Sequence, residues 1–98
     1  MFPLNEYIKT LSCGDILYDK GSKIYYIIAQ VDWAKINLIS LFDGNRYHIS
    51  DVSITNTKNI PFANIRELIG DWSILDFYYV GDATDVLTFE KDIIDSLE

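Results

Sequence analysis

The sequence predicts a mainly β domain with small helical additions, and three observations carry that prediction. Residues 24–31 (Ile-Tyr-Tyr-Ile-Ile-Ala-Gln-Val) form a run rich in β-branched and aromatic residues, free of glycine and proline. A second such run follows at 36–42, after the polar break at 32–35. Asp43-Gly44, a favoured tight-turn pair, then leads into a third stretch at 46–49. Strands joined by turns this short run antiparallel, so the expected body is a meander.

The remaining elements follow in chain order. Leu4, Tyr7, Ile8 and Leu11 fall at i, i+3, i+4 and i+7, which predicts a short amphipathic helix over 4–11, with Pro3 suited to its first turn. Residues 15–18 read as a first short strand, and 19–22 as a turn in which Gly21 takes positive φ. Val52 and Ile54 suggest one more strand near 52–56, before a polar loop at 55–59. Pro61 opens a helix over 61–69, with Phe62, Ile65, Leu68 and Ile69 on one face and Gly70 closing it. Residues 74–80 are a strand by composition. Phe89, Ile93 and Leu97 at i, i+4 and i+8 predict a short acidic helix over 88–97, capped by Thr88 or Asp85. Two or three short helices therefore accompany the meander.

Residues 24–31 are apolar on both parities: Ile24, Tyr26 and Ile28 on one face, Tyr25, Ile27, Ala29 and Val31 on the other. A sheet with one wet face alternates instead. The strand is therefore expected to be covered on both sides, by a rolled barrel within and by a helix or a partner outside.

The 98 residues make one domain, 1–98, long enough for a core without metal or disulfide staples. Their charge is uneven. Residues 1–66 carry seven Lys and Arg against six Asp and Glu, while residues 67–98 carry one against nine. The last third thus holds −8 of a net −7, attached to a body of +1. Such a segment repels nucleic acid and anionic membrane and favours a basic partner. Cys13 is the single cysteine, which rules out an intrachain disulfide and fits a reducing compartment. The first residues lack a basic stretch followed by an apolar one, and no uncharged apolar run approaches membrane-spanning length, so a cytoplasmic protein is expected.

Catalysis and cofactors find little support. A nucleophile needs an activating base, and the chain offers one histidine, His48, read as a half-exposed strand histidine, and one cysteine, Cys13 before Gly14, read as a small buried packing residue. One Cys plus one His falls short of a zinc site. Residues 81–85 (Gly-Asp-Ala-Thr-Asp) lack the carboxylate ladder of a calcium loop and read as a turn whose aspartates cap backbone N–H groups. No glycine-rich phosphate loop occurs. The expectation is no enzyme, no metal and no cofactor.

Binding surfaces are better supported. Trp33, Lys35, Arg46 and Tyr47 offer stacking rings and cations for a nucleic acid, but phosphate neutralisation supplies most such affinity, and four hairpin-end cations (Lys20, Lys23, Lys35, Arg46) are few beside −8. Against them stand Glu67, Asp71, Trp72, Asp76, Tyr78, Asp82 and Asp85, in which tyrosine and tryptophan alternate with carboxylates. Aromatic anchors dominate protein interfaces and charge steers encounter. If Phe77 and Tyr79 fill the core, Tyr78 and Asp76 face outward.

Residues 14–18 (Gly-Asp-Ile-Leu-Tyr), the long hairpin and residues 42–47 (Phe-Asp-Gly-Asn-Arg-Tyr) together resemble a small SH3-like or Tudor-like barrel over about 14–56. The resemblance lies in strand rhythm, so it implies an antiparallel barrel and assigns no functional residue. A short acidic single domain of this kind also has the character of a phage or mobile-element protein. The reading is a non-enzymatic interaction module whose acidic last third docks on a basic protein surface, in its sharpest form an inhibitor of a nucleic-acid-binding protein. A small nucleic-acid-binding barrel and a structural subunit, self-associating through a barrel edge, are the alternatives.

Overall fold

The computed structural model describes residues 2–5, 8–48 and 50–82. In chain order these form β1 (Phe2–Pro3), β2 (Thr10–Leu11), β3 (Asp15–Asp19), β4 (Ile24–Asp32), β5 (Lys35–Ser40), β6 (Val52–Ser53), β7 (Ile60–Pro61), α1 (Phe62–Ile69), a 3-10 helix (Ser73–Asp76) and β8 (Phe77–Asp82). Six strands make one antiparallel sheet in the order β1-β8-β3-β4-β5-β6, and β2 pairs with β7 apart from it. The predicted meander is therefore present as β3-β4-β5-β6, and β8 returns to lie beside its first strand. Among the described residues the sheet does not close into a barrel, and α1 is the one α-helix. The predicted helix over 88–97 lies outside the described residues.

Register puts Tyr26, Ile28, Ile36, Leu38, Leu17 and Phe77 on one face of the sheet. That face carries the core, closed by Ile65, Leu68 and Ile69 of α1, with Ile60 and Leu11 from the small sheet. The opposite face carries Tyr18, Tyr25, Tyr78, Ile27 and Ile39 and is partly open. Coverage of β4 on both sides, expected from its composition, is thus realised on one side only: Tyr26 and Ile28 are 7% and 1% exposed, whereas Tyr25 is 44% exposed.

Several expectations are corrected, each for a local reason. The segment expected to be helical over 4–11 is extended at Thr10–Leu11, which pairs with Ile60–Pro61. Leu4 and Leu11 still reach the core, as the helical spacing suggested, but they reach it from a chain wrapped across it, with the Leu4 N–H donating to the Phe77 carbonyl at 2.9 Å. The second long strand stops at Ser40 and not at 42. The buried Ser40 Oγ accepts the Phe42 N–H at 3.1 Å, which turns the chain and leaves Leu41 and Phe42 in solvent. Of the stretch expected as a strand over 46–49, the described residues 46–48 carry a single bridge, between Ile39 and Arg46, and residue 49 lies outside the described residues. Residues 73–76 are a 3-10 turn, its three-residue bonds running from the Leu75 N–H to the Trp72 carbonyl at 3.3 Å and from the Phe77 N–H to the Ile74 carbonyl, so the strand begins at Phe77.

The β3–β4 turn was expected to rely on Gly21 for positive φ, yet Lys23 takes it, at 61°. Gly21 instead lies close to two carboxylates. A Cβ there would lie 3.1 Å from Asp76 Oδ2 and 3.2 Å from Asp19 Oδ1. Ala34, at φ 52°, is the second non-glycine residue in the left-handed region and makes the β4–β5 turn. α1 begins after Pro61, as the spacing predicts, and Gly70 at φ 102° ends it, its N–H reaching the Arg66 carbonyl at 2.7 Å.

Candidate functional site

The acidic, aromatic residues 67–82 leave the core at one place. After α1 the chain reverses at Gly70, and Asp71, Trp72 and the 3-10 helix project before β8 re-enters the sheet. Ile74 is 5% exposed and anchors this projection, while Trp72 and Leu75 are 86% and 69% exposed. Glu67 stands exposed on α1, one residue beyond Arg66, whose guanidinium lies 3.7 Å from the Asp71 carboxylate and 6.0 Å from the Phe62 ring. Both charges of that pair are well exposed, so it orients side chains more than it stabilises them.

The other candidates lie elsewhere. Asp76 is directed at Gly21 and the neighbouring Asp19, at the end of the sheet formed by the β3–β4 turn. Asp82 sits at the far end of β8, roughly 17 Å along the strand from Phe77 by strand rise, opposite Asp15. Asp85 lies outside the described residues. Phe77 is 1% exposed and Tyr79 packs against the core, so Tyr78 is the outward ring, as the alternation required. Tyr78 does not stand alone. It pairs with Tyr18, which pairs with Tyr25, giving a row of three tyrosines across β8, β3 and β4. The Tyr18 and Tyr25 ring centroids are 4.7 Å apart, and Lys20 Nζ lies 5.9 Å from the Tyr78 centroid. This row escaped the sequence reading because it depends on register between three strands.

The residues considered for nucleic acid are dispersed. Trp33 is 88% exposed at the tip of the β4–β5 hairpin, with exposed Lys35 opposite Asp32. Arg46 is at the other end of β5, bound to Asp51 at 3.0 Å. The Tyr47 ring packs edge-on against Tyr26 and Phe77, with centroids 5.4 Å and 5.6 Å away. It serves the core and offers no stacking platform beside Trp33.

One polar network organises the segment between Arg46 and β6. Asn37 is fully buried on the outer parity of β5, and its Nδ2 donates to the His48 carbonyl at 2.6 Å and to Asp51 Oδ1 at 2.9 Å. Asp51 also accepts both hydrogen bonds from Arg46 Nη1. A buried amide with charged and carbonyl partners fixes the loop that bulges from β5.

Four groups among the described residues have shifted protonation equilibria. The Asn45 N–H, donating to its carboxylate, holds the exposed Asp43 carboxyl below the ordinary value. Burial, with the Asp15 charge adding to it, pushes the Cys13 thiol up, which works against a thiolate nucleophile. Burial also raises Asp15, reinforced by Asp82 across the ladder and opposed by the Ser12 N–H. Tyr26 is raised by burial. Among the described residues no three His, Cys, Asp or Glu side chains converge to hold a metal ion. No described helix is long and apolar enough to cross a membrane. The chain matches no family model, no curated protein and no solved structure.

Proposed function

We propose that this chain is a non-enzymatic, cytoplasmic interaction module that docks on a basic protein surface through the projection between α1 and β8. The observation that carries the reading is Trp72, 86% exposed, with Leu75 69% exposed, on a segment anchored by Ile74 and following the exposed Glu67 and Asp71 in the chain. Large apolar side chains on such a projection, with acidic residues in the same segment, suit a partner that supplies cations around an apolar centre. The sharpest form is inhibition of a nucleic-acid-binding protein, its phosphate-binding cations engaging these carboxylates, as a phage or mobile-element protein would employ. Four meander strands with a returning fifth, curled by a bulge at Ile16/Leu17, support the SH3-like reading of the body.

Affinity capture from host extract tests the proposal. Trp72→Ala should lose the captured protein, and charge reversal at Asp71 should weaken capture and reduce its salt dependence. Capture that survives both substitutions at undiminished affinity in high salt would sink it. Trp33 supports the second reading, a weak single-strand nucleic-acid binder, because it is a fully presented ring next to Lys35. An anisotropy titration with an oligonucleotide at low salt decides that reading; no binding at micromolar protein ends it.

A further inference from the structure

The loop before β6 and the exposed side of α1 face each other across a cleft of about 420 Å³, lined by His48, Ser50, Asp51, Val52, Glu67 and Leu68. Val52 and Leu68, 8% and 3% exposed, provide apolar surface at its base. One wall is fixed. The His48 carbonyl and the Asp51 carboxylate are both held by the fully buried Asn37 amide, and Arg46 holds Asp51 from the outside. On the other wall Glu67 is exposed and makes no hydrogen bond or ion pair among the described residues. Arg46 offsets Asp51, so Glu67 is the uncompensated charge of the cleft.

We infer that this cleft receives a cationic side chain, an arginine in preference to a lysine, from the basic partner. The inference rests on the basic-partner reading and adds a specific seat to it. The methylenes of such a side chain lie along Val52 and Leu68, and its cation meets Glu67, with Asp51 Oδ2 as a further acceptor. Arginine is favoured because its planar fork binds a carboxylate through two parallel N–H donors while its stem covers the apolar base. The cleft volume exceeds that of one such side chain, so entry requires no opening of α1. An anion is opposed by Glu67, and a wholly apolar ligand would strip water from Ser50, Asp51 and Glu67 without replacing it. Glu67, a docking candidate already by its place in the sequence, thereby gains a structural reason: it lines one cleft with His48, Ser50, Asp51 and Val52.

The probe is an octa-arginine peptide, with octa-lysine as its counterpart, titrated at low salt into the full chain and followed by methyl NMR. Val52 and Leu68 methyl signals should shift saturably, and more tightly with arginine than with lysine. Glu67→Gln, an exposed helix position, should weaken arginine binding about fivefold, the upper range for a half-exposed ion pair. Asp32→Asn removes one carboxylate at the distant hairpin and should leave affinity within about twofold. Peptide binding that leaves the Val52 and Leu68 signals in place, or that ignores Glu67→Gln, overturns the cleft and leaves the Trp72 docking surface standing. An equal loss from Asp32→Asn also overturns it, because bulk charge then explains the binding. Failure of both peptides to bind at low salt overturns the cleft and the basic-partner reading together.

Discussion

The two faces of β4 are almost equally apolar in sequence and very differently buried. On the inner face Tyr26 and Ile28 are closed over by α1, the small sheet and Phe77. On the outer face Tyr25 is exposed, and Ile27, Ala29 and Val31 are half-buried. The outer face gains its order sideways, in the row Tyr25, Tyr18 and Tyr78, where Tyr25 and Tyr18 meet ring against ring and Lys20 lies over Tyr78. Its buried exceptions are Ile16 and Asn37, the second covered by the loop that its own amide holds. An apolar strand therefore need not be roofed on both sides; neighbouring aromatic side chains cover part of one another.

The widest difference between the faces should appear on adjacent residues. Phe77→Ala should cost about 3–5 kcal/mol in urea denaturation, the range for truncating a buried aromatic ring. Tyr78→Ala, next in the chain and on the other face, should cost about 1 kcal/mol or less, since its ring contributes lateral contact and a half-exposed cation–π pair. Equal losses would break the comparison and show the outer face to be as fully packed as the inner.

Asn37→Ala should follow in size, at about 1–3 kcal/mol, although it lies on the outer parity. It leaves the His48 carbonyl and the Asp51 carboxylate without their buried donor. If the loss is no greater than that of Tyr78→Ala, the loop is held by Arg46 and not by the amide.

A smaller and pH-dependent effect belongs to Asp15. Its carboxyl is raised above the usual range by burial, with Asp82 contributing. A group with a raised folded-state pKa favours folding in its protonated form. Its contribution is fully present below the unfolded-state value near 3.8 and is lost as pH rises through the raised value. Asp15→Asn should remove that acid-side slope from stability measured against pH, while its side-chain oxygen still accepts the Ser12 N–H. An unchanged slope would show that the Asp15 carboxyl does not titrate differently in the folded chain.

The smallest expected effect is at the hairpin tip that both faces share. Ala34→Gly relieves a left-handed alanine at φ 52°, and the gain is partly offset by the freedom glycine adds to the unfolded chain. The net should be a few tenths of a kcal/mol in favour of the folded state. A loss would show that Ala34 adopts its conformation without strain.

What the sequence made legible follows from how local each signal is. The meander, the helix from Phe62 and its glycine stop depend on short-range periodicity and turn chemistry, and they were readable. Strand alternation put Phe77 and Tyr78 on opposite faces, but which of the two points inward was a condition that only the packing decides. The segment 4–11 misled because Leu4, Ile8 and Leu11 do pack on the core, a demand that helical spacing would also meet, although Thr10–Leu11 is extended and pairs with Ile60–Pro61. The end of β5 was misplaced because a buried serine hydroxyl, and not a glycine or proline, turns the chain there. For the site, Trp72 was legible as an exposed anchor among acids, but their union into one face was not. Asp76 and Asp82 lie at opposite ends of β8, and the cleft partner of Glu67 comes from a loop fifteen or more residues earlier.

The sheet ends on both sides in strands of two residues, β1 and β6, and β1 includes Pro3, which has no N–H to give. Among the described residues, lateral growth by addition of another molecule's strand meets a short template at either border, and at β1 one that lacks a donor. A nine-residue strand as adhesive as β4 is a hazard at an edge; here it is confined to the interior of the ladder.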